Sequence, residues 1–223
     1  MQKRQRCAII TVAHLLFWGD IMKIFSSKKH LVSFTFIAFY FIFSFLGAVR
    51  TFSTFTGLLY DVMGLISSAL ILCYLLFEQK IFKFKSLIFP LAFGIIAFRS
   101  LYGVITYFDG LSRFTILEIE LEVEITFAII IVAALFNILC FCGTLFKFKS
   151  SLLLKIGCIG YILTTVASQI YEFYLVGGME YINSVPSYYW SASIFALIKL
   201  ISLLLFYVGI FIYSTNKKHS DLV

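Results

Sequence analysis

Between Leu31 and Val49 the chain runs nineteen residues without a charged side chain. Five more stretches of similar length and character follow: Gly57 to Phe77, Leu87 to Phe108, Ile125 to Phe146, Leu152 to Val176 and Trp190 to Tyr213. Each meets the requirement of about 20 apolar residues for a helix crossing a bilayer core of roughly 30 Å. With 61% hydrophobic and only 13% charged residues in 223, and a mean hydropathy of +1.01, the chain has too few polar side chains to cover its apolar surface in water. Lipid is the solvent this sequence implies. The expected fold is an all-α integral membrane protein of six transmembrane helices.

Loop charges orient those helices. The pentapeptide Phe-Lys-Phe-Lys-Ser occurs twice, at 82–86 and at 146–150, each time between two apolar runs. Together with Lys23, Lys28 and Lys29, with Lys80 and Lys155, and with Lys217 and Lys218, it places nearly all the lysine on one side. The other side holds Arg50 and Arg113 among Asp109, Glu118, Glu120, Glu122, Glu124, Glu172 and Glu180. By the positive-inside rule both termini are cytoplasmic, and the chain reads as three hairpins in a cell membrane. The helices after the two pentapeptide copies share almost no further identity, so a common need for inner lysines explains the repeat better than duplication does. The net charge of +7 follows the same orientation rule, which removes nucleic acid as a partner.

Three regions follow. Residues 1–22 form an amino-terminal extension or interfacial segment, whose apolar run Cys7 to Trp18 is too short to span. Residues 23–216 form the transmembrane domain and residues 217–223 a cytoplasmic tail. Four of the five cysteines lie in apolar runs, without Cys-x-x-Cys spacing or a histidine close in sequence, and suit packing better than a disulfide or metal. No cofactor is expected. In the fifth run Gly160, Thr164 and Ser168 form a small-residue stripe, which predicts a central helix; Ser44 with Ala48 and Gly64 with Ser68 are lesser versions. Pro90 is expected in the first turn of its helix, where its missing N–H has no helical partner anyway. Aromatic rings including Tyr107, Tyr174 and Tyr213 are expected to anchor the two interfaces. From Leu117 to Ile125 apolar residues alternate with Glu118, Glu120, Glu122 and Glu124, the period of a strand with one acidic face. A solvated connector is the plain reading of that segment, and a calcium or partner site the sharper one.

The residues that bear on function are the ionisable groups inside the runs, which are costly in lipid and ordinarily face a polar interior. At about 1.5 Å per residue from the outer ends of the runs, Arg99 and Lys199 sit roughly 14 Å deep, and Asp61 and Glu172 about 6 Å deep. Asn137 and Gln169 add uncharged polar groups. The inner halves are nearly all apolar. This asymmetry predicts an outward-facing polar cavity with Arg99 and Lys199 at its floor, the two acids nearer its mouth, and a small anionic or zwitterionic solute as ligand. The competing account is that Asp61 pairs with Arg99 or Lys199 only to neutralise a buried charge.

A solute-binding or permease-type transport subunit is therefore the leading function. A non-catalytic immunity, sensor or assembly subunit acting through its outer loops is the alternative. An intramembrane enzyme using Asp61 or Glu172 ranks third, since the three histidines lie outside the runs and no zinc-protease, nucleophile-elbow or Walker motif is present. Without a Walker loop, any ATP-driven step would need a separate ATPase or other membrane subunit. In helix number, size and orientation the chain resembles six-helix bacterial membrane proteins, such as the substrate-capture subunits of energy-coupling-factor transporters and the permease subunits of bacteriocin-immunity exporters. That resemblance is architectural and carries no residue assignments.

Overall fold

The computed structural model describes six helices: α1 (Lys28–Arg50), α2 (Phe55–Leu76), α3 (Lys85–Arg113), α4 (Leu121–Leu145), α5 (Ser150–Leu175) and α6 (Trp190–Asn216). No strand occurs among the described residues. All six helices are long and apolar enough to cross a membrane, and in lipid an α-helix satisfies its backbone groups within the segment. The protein is thus an all-helical, multi-pass membrane protein by length and composition. The amino-terminal extension, the connector carrying Glu118 and Glu120, most of the flanking lysines and the tail lie outside the described residues.

Side-chain contacts show how the helices run. Asp61 lies against Gly47 while Gly64 meets Tyr40 and Ser44, so α2 runs antiparallel to α1. Tyr60 meets Gly103 while Tyr74 packs on Phe89, which reverses α3 against α2. Gly94 meets Phe141 while Tyr107 stacks on Phe127, which reverses α4 against α3. Gly157 meets Cys140 while Gly160 meets Phe136, and Tyr161 packs on Tyr207 while Gln169 faces Leu200. Each helix touches its neighbours in sequence and α6 returns to α1, so the six form a closed ring. Lys28, Lys85, Ser150 and Asn216 therefore share one end, called here the Lys85 end. Arg50, Glu124, Leu175 and Trp190 share the other, the Glu124 end.

The apolar core fills one half of this ring. Ile37, Ile71, Phe93, Leu154, Cys158, Phe206, Tyr207 and Ile210 are all buried, and all lie between the bundle's middle and the Lys85 end. Large apolar side chains such as Phe45, Leu91, Ile105, Leu163 and Ile170 are exposed, as a lipid-facing perimeter requires. Glycine sets the closest approaches. A Cβ on Gly157 would meet the Phe136 carbonyl oxygen at 2.8 Å and the Cys140 nitrogen at 2.9 Å, backbone atoms that cannot swing away. Gly209 sits with the Ser33 carbonyl oxygen 3.1 Å from where its Cβ would be.

Several expectations are corrected by this arrangement. No helix is central among the described residues, and α5 has the ring's two neighbours like the others. Its small-residue face is an α4 contact built on Gly157 and Gly160. Thr164 instead donates to its own Gly160 carbonyl at 2.8 Å. The strand-like alternation does not persist from Leu121 on, where α4 has already begun, because carboxylates at 122 and 124 suit the positive end of a helix dipole. Pro90 falls beyond the first turn, since α3 starts at Lys85, and it removes the donor that the Ser86 carbonyl would otherwise have. Tyr213 is no interface anchor: it is buried and stacks on Phe89 at 5.7 Å. Its ring follows an otherwise apolar α6 face into the core.

Candidate functional site

Buried Ser33, Ser67 and Ser68 lie toward the Lys85 end; from the middle of the ring toward the Glu124 end, the described polar side chains that bear on a site fall in three layers. Deepest is Asn137 of α4, which is buried, donates to Ser100 Oγ of α3 at 2.6 Å and accepts from the Tyr207 hydroxyl of α6. An amide placed in apolar surroundings without partners would be costly; here both ends of the amide are engaged. Tyr207 stacks on Tyr161 of α5 with ring centroids 4.2 Å apart, and the Tyr161 hydroxyl lies within reach of Asn137 and Thr165.

Arg99 of α3 lies beside this layer. Its Nη1 donates to the Tyr40 hydroxyl of α1 at 2.8 Å, and its guanidinium carbon stands 5.3 Å from the centre of the Tyr60 ring of α2, within cation–π range. Tyr161 and Tyr207 are close enough to act on its charge electrostatically. Gly64 makes room for it, because a Cβ there would meet the Tyr40 hydroxyl at 2.7 Å and Arg99 Nη1 at 3.1 Å. Arg99 forms no salt bridge among the described residues.

About one helical turn nearer the Glu124 end, roughly 4.5 Å along α2, Asp61 forms a salt bridge with Lys199 of α6. The carboxylate is buried, and the lysine side chain is about one-third exposed. Gly47 of α1 admits the carboxylate, whose Oδ2 lies 2.8 Å from where a Cβ would be. The ion pair thus ties α2 to α6 across α1. Of the two partners expected for Asp61, the structure selects Lys199. The two cations also do not lie side by side: Lys199 pairs with Asp61 beside Gly47, whereas Arg99 stands by Gly64, one turn away along α2.

Nearer still to the Glu124 end, the face of α5 that carries Tyr161 continues at helical spacing through Thr165, Ser168 and Glu172. Glu172 is exposed. It accepts from Ser168 Oγ at 3.2 Å and from Gln169 Nε2 at 3.0 Å, both one turn away on its own helix. Gln169 also lines a narrow, mostly apolar groove of about 260 Å³ between α5 and α6, with Val166, Ile170, Phe173, Leu200 and Leu204.

Of the six residues expected at a site, Arg99, Lys199, Asp61 and Asn137 gather in the middle of the ring. Glu172 and Gln169 stand apart near the Glu124 end. Sequence reasoning missed Tyr40, Tyr60, Tyr161 and Tyr207, although a signal was available. In an apolar run phenylalanine buries the same ring without a hydroxyl to satisfy. A chain with 27 phenylalanines that nonetheless places tyrosine in mid-run marks positions where a hydroxyl has a partner. Among the described residues no group of three or more His, Cys, Asp or Glu could hold a metal ion. No protein-family model matches this chain, and no match is found among curated proteins or solved structures.

Proposed function

We propose that this protein is a small-solute binding or transport subunit of the cell membrane, with both termini cytoplasmic and a polar cavity opening outward at the Glu124 end. In this reading Arg99 forms the floor, Asn137 and the Asp61–Lys199 pair line the wall, and Glu172 with Gln169 stands at the mouth. The solute is small and anionic or zwitterionic, and any driving ATPase is a separate subunit.

One observation carries the reading. The buried apolar core ends near the level of Arg99, whereas on the far side of Arg99 the α5 stripe in line with Tyr161 is polar and ends in an exposed carboxylate at Glu172. Packing alone gives no reason to place hydroxyls and a carboxylate on that stripe. An aqueous interior does.

Thiol labelling of single-cysteine variants in intact cells tests orientation and cavity together, because impermeant reagents attack the thiolate, which forms only in water. Cysteines at Ser112 and Asn183 are expected to react, and those at Ser86 and Ser150 to stay unlabelled. Thr165→Cys and Ser168→Cys are expected to react at rates within about tenfold of the loop positions. The reverse pattern in the loops overturns the orientation, and inert cysteines at both α5 positions overturn the cavity.

A further inference from the structure

Among the described residues the ring interior holds two cations, and only one of them has a carboxylate within ion-pair distance. Lys199 is neutralised by Asp61 in a direct salt bridge. Arg99 is enclosed by side chains, yet its hydrogen-bond partner is a phenol and its nearest face contact an aromatic ring. A hydrogen bond to a phenol and a face contact with a ring bring no carboxylate to the guanidinium. A guanidinium stays protonated under all ordinary conditions, and it presents five donors in a planar fork. Tyr40 takes one of them.

An enclosed charge of this kind costs several kcal/mol unless something compensates it. Tyrosine contacts soften that penalty without removing the net charge. Beside the fork, moreover, the Tyr40 hydroxyl accepts from Nη1 and keeps its own proton to donate to an oxygen acceptor. The Tyr40 phenol and a guanidinium whose other donors meet no acceptor among the described residues together suit an anion.

We infer that Arg99, not Lys199, is the anion-binding group of this protein, and that its ligand is an oxyanion of one net negative charge, a carboxylate or phosphodiester held bidentate by the guanidinium beside the Tyr40 hydroxyl. This deepens the proposed function and rests on the cavity described above. A single charge fits because the interior carries one uncompensated cation: a dianion would leave a new charge unpaired in the same low-dielectric surroundings. Two sources could supply such a group, a soluble acid arriving through the mouth or a lipid headgroup arriving from the bilayer.

Thermal unfolding of the purified full-length chain in neutral detergent tests this. The probes are acetate and benzoate as soluble monoanions, inorganic phosphate, and micelles doped with phosphatidylglycerol against phosphatidylcholine. Benzoate, acetate or phosphatidylglycerol is expected to raise Tm by about 5 °C when present at a hundredfold excess over its dissociation constant. The rise is expected to vanish in Arg99→Gln and to persist in Lys155→Gln, a control for adsorption to surface lysine. Response to the soluble acids identifies entry from water, and response to phosphatidylglycerol alone identifies the headgroup. Should Arg99→Gln fail to fold, Tyr40→Phe keeps the charge but loses the phenol that fixes it, and is expected to weaken the response about tenfold. A response retained in Arg99→Gln, or lost only when Asp61 and Lys199 are both neutralised, overturns the assignment. So does no response to any monoanion. Labelled α5 cysteines with no anion response leave the cavity standing without this ligand. Inert α5 cysteines with a phosphatidylglycerol response do the opposite.

Discussion

The two halves of the ring are made from the same six helices but held together differently. Toward the Lys85 end, apolar side chains interlock: Phe93, Phe206, Ile37 and Ile71 are fully buried, and Tyr74, Phe89 and Tyr213 form an aromatic cluster with centroids 4.7 to 6.3 Å apart. Toward the Glu124 end the buried residues include Ser44, Ser202 and Asp61, beside Gly47, and the helices are joined by an ion pair and aromatic contacts. In lipid the hydrophobic effect gives little drive to close either half, since the bilayer solvates apolar surface as well as a core does. Close packing closes the first half. The second has small and polar groups where packing atoms would stand, and stays together through a few specific bonds.

The largest effect is therefore expected at the bond that replaces packing. Lys199→Met leaves the Asp61 carboxylate buried and without its ion-pair partner. Removing one member of a buried pair costs about 3 to 5 kcal/mol, which the partial exposure of the lysine reduces to roughly 2 to 3 kcal/mol. Tm should fall by about 5 to 10 °C. Adding Asp61→Asn to Lys199→Met should recover most of the loss, because the uncompensated charge is then gone. Unchanged melting in the single variant would break the contrast between halves, since the half toward the Glu124 end would then not depend on its ion pair.

A middle-sized effect belongs to the filled half. Gly157→Val inserts a side chain where backbone atoms of α4 stand within 3 Å of the added Cβ, so α4 and α5 must separate. Overpacking of this kind costs about 1 to 3 kcal/mol, read as a fall in Tm with the anion-dependent increment of the wild type preserved. Loss of that increment would mean that the halves are coupled through α5.

How far the sequence foretold this contrast depends on what kind of residue carries it. The six spans were legible, because runs such as Leu31–Val49 and Trp190–Tyr213 are set by a single requirement, the thickness of the bilayer. The polar character of Arg99, Lys199, Asp61 and Asn137 was legible for the same reason. Their pairing was not. Depth counted from the outer ends treats every helix as a rod starting at the bilayer edge, yet α3 continues to Arg113 and α4 begins at Leu121. Tyr40 and Tyr60 escaped notice because a tyrosine reads as an apolar ring until its hydroxyl has a partner. Gly47 was passed over for the stripe of Ser44 and Ala48, since spacing reveals that a small residue is present but not which side chain will fill the space it leaves.

The smallest effect sharpens the contrast most. Glu172 is exposed, and its oxygens are met by Ser168 and Gln169 of its own helix. Local pairs at such spacing contribute about 0.2 to 0.5 kcal/mol each, and Glu172→Gln keeps the size and an acceptor oxygen while losing the charge. Stability should therefore change by less than about 0.5 kcal/mol, within the range of an ordinary surface substitution, although the residue shares the α5 face that buries Tyr161 against Tyr207. In a filled interior the same position would sit against neighbouring helices. Removing a charge there would either relieve a large desolvation penalty or break a buried bond, shifting stability by more than 1 kcal/mol in one direction or the other. Thermal melts of Glu172→Gln beside the wild type decide between these. A shift near zero is what an open, hydrated half produces, and a large shift of either sign would mean that the Glu124 end closes over its own carboxylate.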